Sequence, residues 1–287
     1  MTDHSRYGDE LGVVTVTYFS GDTLERFLDT LEKATARDVQ VVVADTVSTD
    51  GAPQKAAKRA NVHLLEIGEN VGYGTGCNRG VAELDDRYGW IVISNPDLEW
   101  EPGTIDTLLE AAKRWPRGGA FGPLIHELDG TVYPSARLLP SFGRGIGHAA
   151  LGKVWPGNPW TKQYRQETGT PVERVAGWLS GSCLLMRREA FDSVGGFDSR
   201  YFMYFEDVDL ADRLGRAGWL NVYVPSAGVM HVGGHSTSQA SKKMLAVHHE
   251  SAYRYLADRH QGLAWKPLLA ATKLGLALRL KLETRKG

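Results

Sequence analysis

Short apolar runs alternate with amphipathic stretches through the first 125 residues. The run Gly12-Val13-Val14-Thr15-Val16-Thr17-Tyr18 is apolar and β-branched and reads as a buried strand. Residues 23–34 follow with Leu24, Phe27, Leu28 and Leu31 at helical spacing. The same reasoning predicts strands over 39–44, 62–67, 90–94 and 120–125, and helices over 53–60, 74–84 and 104–115. Strand and helix alternating in this way predict an α/β fold with a largely parallel sheet covered on both faces. In such sheets ligands collect beyond the carboxyl ends of the strands, so the polar clusters that follow each strand are the informative ones.

From 134 to 170 the period dissolves into Gly, Pro, Trp and Arg, a length of irregular chain that is unusual in a compact domain and often functional. Pattern returns at 175–187, then in an acidic run leading into a helix that ends near Ala217, and in a helix over 238–259. A tail rich in Leu, Lys and Arg begins at Trp265. The expected division is a catalytic unit over 1–237 and a basic helical extension over 238–287. Neither an internal repeat nor a low-complexity tract interrupts this plan.

Composition narrows the picture. A length of 287 residues supports one large domain with an appendage. The formal net charge of -1 gives no general attraction to nucleic acid. Cys77 and Cys183 stand far apart without metal-ligand spacing, which fits a reducing cytosol and two small buried residues. The polar, acidic N-terminus reads as neither signal peptide nor anchor, and no run of about 18 uncharged apolar residues suggests a membrane span. The chain therefore reads as soluble or peripheral. Residues 266–287 hold six basic residues (Lys266, Lys273, Arg279, Lys281, Arg285, Lys286) and one acid, Glu283, a local charge of +5. Near an anionic leaflet each such residue contributes about 1 kcal/mol, enough in sum for reversible attachment. A helix docked on the domain, or joining a homo-oligomer, accounts for the tail equally well. Its leucines at 274, 276, 278, 280 and 282 alternate, so a helical wheel is not cleanly two-faced.

Candidate chemistry gathers in four places. Glu206, Asp207 and Asp209 put three carboxylates in four residues directly after the aromatic stretch 201–205. Crowding and apolar neighbours raise proton affinity, which is how a carboxylate becomes basic enough to deprotonate a hydroxyl. A solvated first helical turn explains the same residues. The segment 45–51, with Asp45, is either a turn and helix cap or a set of hydrogen-bonding groups for a heterocycle or ribose. The segment 69–80 is glycine-rich but fails G-x-G-x-x-G, because Arg79 occupies the last glycine position. Asn95-Pro96-Asp97 closes a strand, and is either a turn or a carboxylate placed for a divalent cation.

The order and spacing of these segments, over about residues 13–235, resemble the inverting glycosyltransferases of family 2. The matching pieces are Val16-Thr17-Tyr18, the 45–51 loop, Asn70-Val71-Gly72-Tyr73-Gly74, Asn95-Pro96-Asp97, the run 178–188, Val194-Gly195-Gly196-Phe197-Asp198, the run 202–210 and His231. The resemblance implies the GT-A (nucleotide-diphospho-sugar transferase) fold, with a C-terminal helical extension here. It implies a nucleotide donor contacted by Thr17, Asp45, Gly72, Asn95 and Asp97. Mg2+ or Mn2+ would be held by Asp97 and His231, although Asn95 replaces the first aspartate of the family's D-x-D motif and a loop histidine at 231 can be merely hydrogen-bonded. Asp207 takes the position of the catalytic base. Trp178, Gly181, Ser182, Glu206 and Arg137 fall on the acceptor side, where Trp178 can equally be core and Arg137 a surface ion pair.

Across its whole length the chain is similar to actinobacterial rhamnosyltransferases of the arabinogalactan linkage unit. That implies transfer of L-rhamnose from dTDP-L-rhamnose to N-acetylglucosaminyl-diphospho-decaprenol in cell-wall biogenesis, at the cytoplasmic face of the membrane. Another sugar on another acceptor, a nucleotidyltransferase and a non-catalytic sugar-binding module remain as alternatives. The nucleotidyltransferase is disfavoured because the turn Tyr18-Phe19-Ser20-Gly21-Asp22 lacks Lys and Arg.

Overall fold

The computed structural model describes residues 6–142, 171–233 and 241–284. Strands β1 (Leu11–Thr17), β2 (Val39–Asp45), β3 (Val62–Glu66) and β4 (Trp90–Ser94) run parallel in the order β3-β2-β1-β4. Helix α1 (Thr23–Ala34) buries the predicted Leu24, Phe27, Leu28 and Leu31. Helix α2 (Ala52–Ala56) is shorter than the predicted 53–60 stretch, and α3 (Tyr73–Ala82) follows β3. Consecutive residues of β1 serve opposite faces: Val13 joins the core under α1, while Val14 and Val16 join the core under α3. A methyl on Gly80 would lie 2.5 Å from Val14 Cγ1, so glycine lets α3 press directly onto the sheet. Cys77 and Cys183 are buried free thiols whose pKa burial pushes up, which removes them as nucleophiles.

Beyond β4 come β5 (Leu98–Trp100), α4 (Thr104–Arg114), β6 (Gly118–Glu127), β7 (Val132–Tyr133), β8 (Ala136–Arg137), β9 (Arg174–Ala176), β10 (Trp178–Leu179) and β11 (Cys183–Arg187). Then follow α5 (Arg188–Ser193), α6 (Glu206–Arg216) and β12 (Leu220–His231). The sheet continues β4-β11-β6-β12-β5, with β11 antiparallel to both β4 and β6. It is therefore mixed rather than largely parallel. The apolar run of β11 marks a buried strand but carries no signal of direction. That reversal matters to the ligand edge. Cys183 pairs with Ser94, so the Ser180–Ser182 turn that enters β11 lies where β4 ends, and Asn95 N donates to Ser182 O at 2.9 Å.

Helix α7 (Ser241–Arg259) is joined to the sheet domain by a third core of Trp178, Tyr201, Val208, Ala211 and Tyr255. Arg259 pairs with Asp212, Arg200 meets Asp258 at 2.7 Å, and Ser251 Oγ donates to Met203 O at 2.9 Å. The expected boundary at 237/238 lies outside the described residues. Helix α8 (Lys266–Thr284) packs on α7. Here the helical period sorts the alternating leucines onto two faces. Leu268, Leu269, Thr272, Leu276 and Leu280 turn inward, while Leu274, Leu278 and Leu282 are more than half exposed. Both faces of the tail helix carry leucine, so its inner and outer sides are set by packing and the wheel is not cleanly two-faced. No described helix is long and apolar enough to cross a membrane.

Candidate functional site

A cleft of about 1090 Å³ opens at the carboxyl ends of β1 and β4, and most of the expected residues line it. Thr17 and Asp45 lie just beneath its wall, which Val16, Tyr18 and Thr46 form. Asp45 is buried; its Oδ1 accepts from Thr17 Oγ1 at 2.8 Å and its Oδ2 from Ser48 N at 3.1 Å. Each oxygen keeps a lone pair for another donor. Gly72 sits at φ +81°, and a Cβ there would come within 2.0 Å of Phe202 O, which accepts from Tyr73 N. Its absence of side chain lets the aromatic loop close over the start of α3.

On the far side of β4, Asp97 Oδ2 stands 3.4 Å from His231 Nε2, brought there by the antiparallel pairing of β5 with β12. Asp97 Oδ1 is buried without a partner, and His231 Nδ1 lies 3.8 Å from Glu127 Oε2. The hydrogen bond to Asp97 outweighs burial and raises the His231 pKa. A hard oxygen left unsatisfied beside an imidazole fits a divalent cation. Among the described residues no third His, Cys, Asp or Glu completes a cage, so phosphate oxygens and water would supply the remaining ligands.

The acidic run forms the first turn of α6, and its three carboxylates have separate environments. Tyr204 and Phe205 enter the helix with φ +66° each, a left-handed conformation costing about 1–2 kcal/mol per residue. That turn aims Asp207 at the cleft. Asp207 Oδ2 accepts from Gly181 N at 2.9 Å and Oδ1 from Val208 N at 2.8 Å, while Tyr73 Oη donates to Gly181 O at 2.7 Å. Burial raises the Asp207 pKa, opposed by those two N–H groups and by the Arg137 charge. Glu206 borders the same cleft but is buried, with Oε2 unpartnered, and burial plus the Asp207 charge push it up to about 8. At neutral pH Glu206 therefore keeps its proton, and the N–H donors favour the negative charge on Asp207. Asp209 is buried and bound to Arg213 at 2.6 Å, which in turn donates to Val194 O and Gly196 O; it holds the fold together.

Among the described residues Arg137 has no ion-pair partner. Its guanidinium lies 5.2 Å from the Trp178 ring and 5.3 Å from Tyr133, and Nε donates to Pro134 O at 2.6 Å. Trp178 is buried, its indole N–H bound to Leu138 O, so it meets the cleft by an edge. Gly181 and Ser182 line the cleft beside Asp207. Sequence reasoning missed a further wall: Met244, His248 and Ala252 of α7 and Leu276 and Arg279 of α8 line the same cleft. The available signal was the four-residue spacing of Met244, His248, Ala252 and Leu256.

The profile described as Glycosyl transferase family 2 matches residues 12–195, and that of Glycosyltransferase like family 2 matches 160–247. The chain is 57% identical, over 96% of its length and 94% of the other's, to an N-acetylglucosaminyl-diphospho-decaprenol L-rhamnosyltransferase of Mycobacterium tuberculosis. It is 26% identical to the rhamnosyltransferase WbbL of Escherichia coli K12, covering 86% of this chain and 92% of that one. A mannosyltransferase of Pyrobaculum calidifontis, solved with GDP-Man and Mn2+, superposes with a TM-score of 0.58 at 18% identity, covering 98% of this chain and 76% of that one.

Proposed function

The chain belongs to glycosyltransferase family 2 and has the GT-A fold, and from that premise we propose that it transfers L-rhamnose from dTDP-L-rhamnose to N-acetylglucosaminyl-diphospho-polyprenol. Support for the sugar and acceptor comes from the near-full-length identity to the mycobacterial enzyme. Support for the chemistry comes from one observation: a carboxylate held by two N–H donors shares a cleft with Asp97, which in turn faces His231.

The reaction is a single displacement. Asp207 takes the proton from the acceptor hydroxyl as its oxygen attacks the anomeric carbon; the bond to the donor phosphate breaks and dTDP leaves with inversion. Such a base contributes about 10²- to 10⁴-fold. Gly181 N and Val208 N fix the carboxylate before the acceptor arrives, so little reorganisation is needed. Asp97 and His231 would hold Mg2+ or Mn2+, which when bound neutralises the departing diphosphate. Asp45 accepts a hydrogen bond from the nucleobase beside Thr17, and Arg137 offsets charge near Asp207. Helix α8 sets the enzyme against the inner face of the cell membrane: its outward leucines enter the leaflet boundary, and exposed Lys266, Lys273 and Lys281 meet anionic headgroups.

The test is transfer from a panel of nucleotide sugars to a short-chain polyprenyl-diphospho-N-acetylglucosamine, with and without chelator. Product from dTDP-rhamnose alone supports the assignment, and product from another donor replaces the sugar. Asp207→Asn should lower turnover by about 10²- to 10⁴-fold while dTDP still binds; near-parental turnover would remove Asp207 from the base role.

A further inference from the structure

Helices α7 and α8 were expected as an appendage, yet they wall the catalytic cleft. On α7, Met244, His248, Ala252 and Leu256 recur every fourth residue and so form one stripe along the helix, about 18 Å long. On α8, Thr272, Leu276 and Arg279 form the facing stripe. The two stripes hold chemistry of two kinds. Met244, Ala252, Leu256 and Leu276 are apolar. Arg279 lines the same cleft as His248 and His249, and burial together with its charge lowers the pKa of both imidazoles. His248 is set edge-on against Tyr204 and Phe205, with ring centroids at 5.3 and 5.5 Å, next to the turn that presents Asp207. His249 is buried at 6% exposure, and its Nδ1 has no hydrogen-bond partner. His249 also hydrogen-bonds the Leu276 backbone, so Nδ1 is left as an acceptor; an unmet buried acceptor costs about 1–3 kcal/mol, and a protonated phosphate oxygen would satisfy it.

This cluster has no part in the displacement at Asp207, and Glu283, whose Oε1 lies 3.4 Å from Arg279 Nε, also acts by its charge on His249. A cation beside two imidazoles, bordered by an apolar stripe, matches an isoprenyl diphosphate: the fork of Arg279 suits phosphate oxygens, and the apolar side chains suit the first isoprene. We propose that Arg279, His248 and His249 form an anion subsite for the acceptor's diphosphate, and that Leu276 and Met244 receive the start of its isoprenoid chain. The inference rests on the acceptor class proposed above. Diphosphate displaces Glu283 from Arg279. One helix then serves both ends of the lipid, because the face of α8 opposite Leu276 and Arg279 carries the exposed Leu274 and Leu278.

The test is calorimetry with the full chain in chelator, first without and then with dTDP, using geranyl diphosphate, inorganic diphosphate and geraniol as probes. The parent should bind geranyl diphosphate more tightly than inorganic diphosphate. Arg279→Gln should weaken both diphosphates by about tenfold or more, the loss of a charged hydrogen bond. Leu276→Asn should weaken geranyl diphosphate toward the inorganic level and leave inorganic diphosphate unchanged. Parental dTDP affinity in each variant shows that the fold is intact. Three results would overturn the subsite: no binding of geranyl diphosphate to the parent, binding abolished by dTDP, or parental affinities in both variants. Geranyl diphosphate binding that maps as expected in a protein that transfers no rhamnose would refute the donor and spare the subsite. Rhamnose transfer with an unchanged acceptor KM in both variants would do the reverse.

Discussion

Replacing Glu206 by Gln tests the proton held beside the base. The Glu206 carboxyl is buried, its Oε2 is unpartnered, and its pKa stands near 8 against an ordinary 4.5. The folded state therefore binds this proton more tightly than the unfolded chain. Its contribution to stability is complete below pH 4.5 and is lost as the pH climbs toward 8. At pH 7 the loss is roughly 3 kcal/mol, and above pH 8 it approaches about 5 kcal/mol. Glutamine has the same shape and no titration. Its amide meets the same unsatisfied surroundings, an offset of about 1–3 kcal/mol that does not vary with pH. The diagnostic quantity is thus the slope. Urea unfolding at pH 5, 7 and 9 should show Glu206→Gln gaining on the parent by roughly 3 kcal/mol between pH 5 and 7, with a further gain by pH 9. The variant should keep most of its turnover at pH 7, because Asp207 retains both N–H donors. Parallel stability curves would show that Glu206 is ionised in the folded protein, and a turnover loss matching that of Asp207→Asn would move the base role to Glu206.

Three other outcomes follow from the same geometry. Tyr255→Ala empties the core that joins α7 to α6 and should cost about 3–5 kcal/mol in urea unfolding; a loss below 1 kcal/mol would mean that α7 is only loosely attached. His231→Ala should weaken Mn2+-dependent dTDP binding, read by calorimetry across a Mn2+ titration, and unchanged metal dependence would remove His231 from the cation site. Leu278→Glu should reduce binding to anionic liposomes without altering dTDP affinity, and undiminished cosedimentation would leave the outward face of α8 without a membrane role.

The sequence was most legible where one element carries one job. Helix α1 has the predicted limits because its four apolar residues at helical spacing have a single buried face. The acidic run could be picked out by its aromatic surroundings, and Asp207 within it by the family resemblance, but not its bond to Gly181, 26 residues away, which only the fold brings near. The strands β8, β9 and β10 are two or three residues long, too short to show a period. The direction of β11 was invisible for the reason given, and so was the Ser180–Ser182 wall that depends on it. In α8 the alternating leucines obscured the two faces. Arg279, His248 and His249 looked like ordinary helix residues, because their shared location is a product of packing between two helices and the sheet.

The reversed strand also bears on how the chain is made. Strand β4 emerges from synthesis with β1 already beside it, but the partner for its other edge, β11, lies about ninety positions downstream. Until that segment arrives, a nascent or truncated chain exposes an apolar edge with unpaired amides, a template for pairing with other copies. Fragments ending before residue 183 should therefore aggregate. The chain's reliance on such distant pairings predicts slow folding, completed only when β12 has closed onto β6.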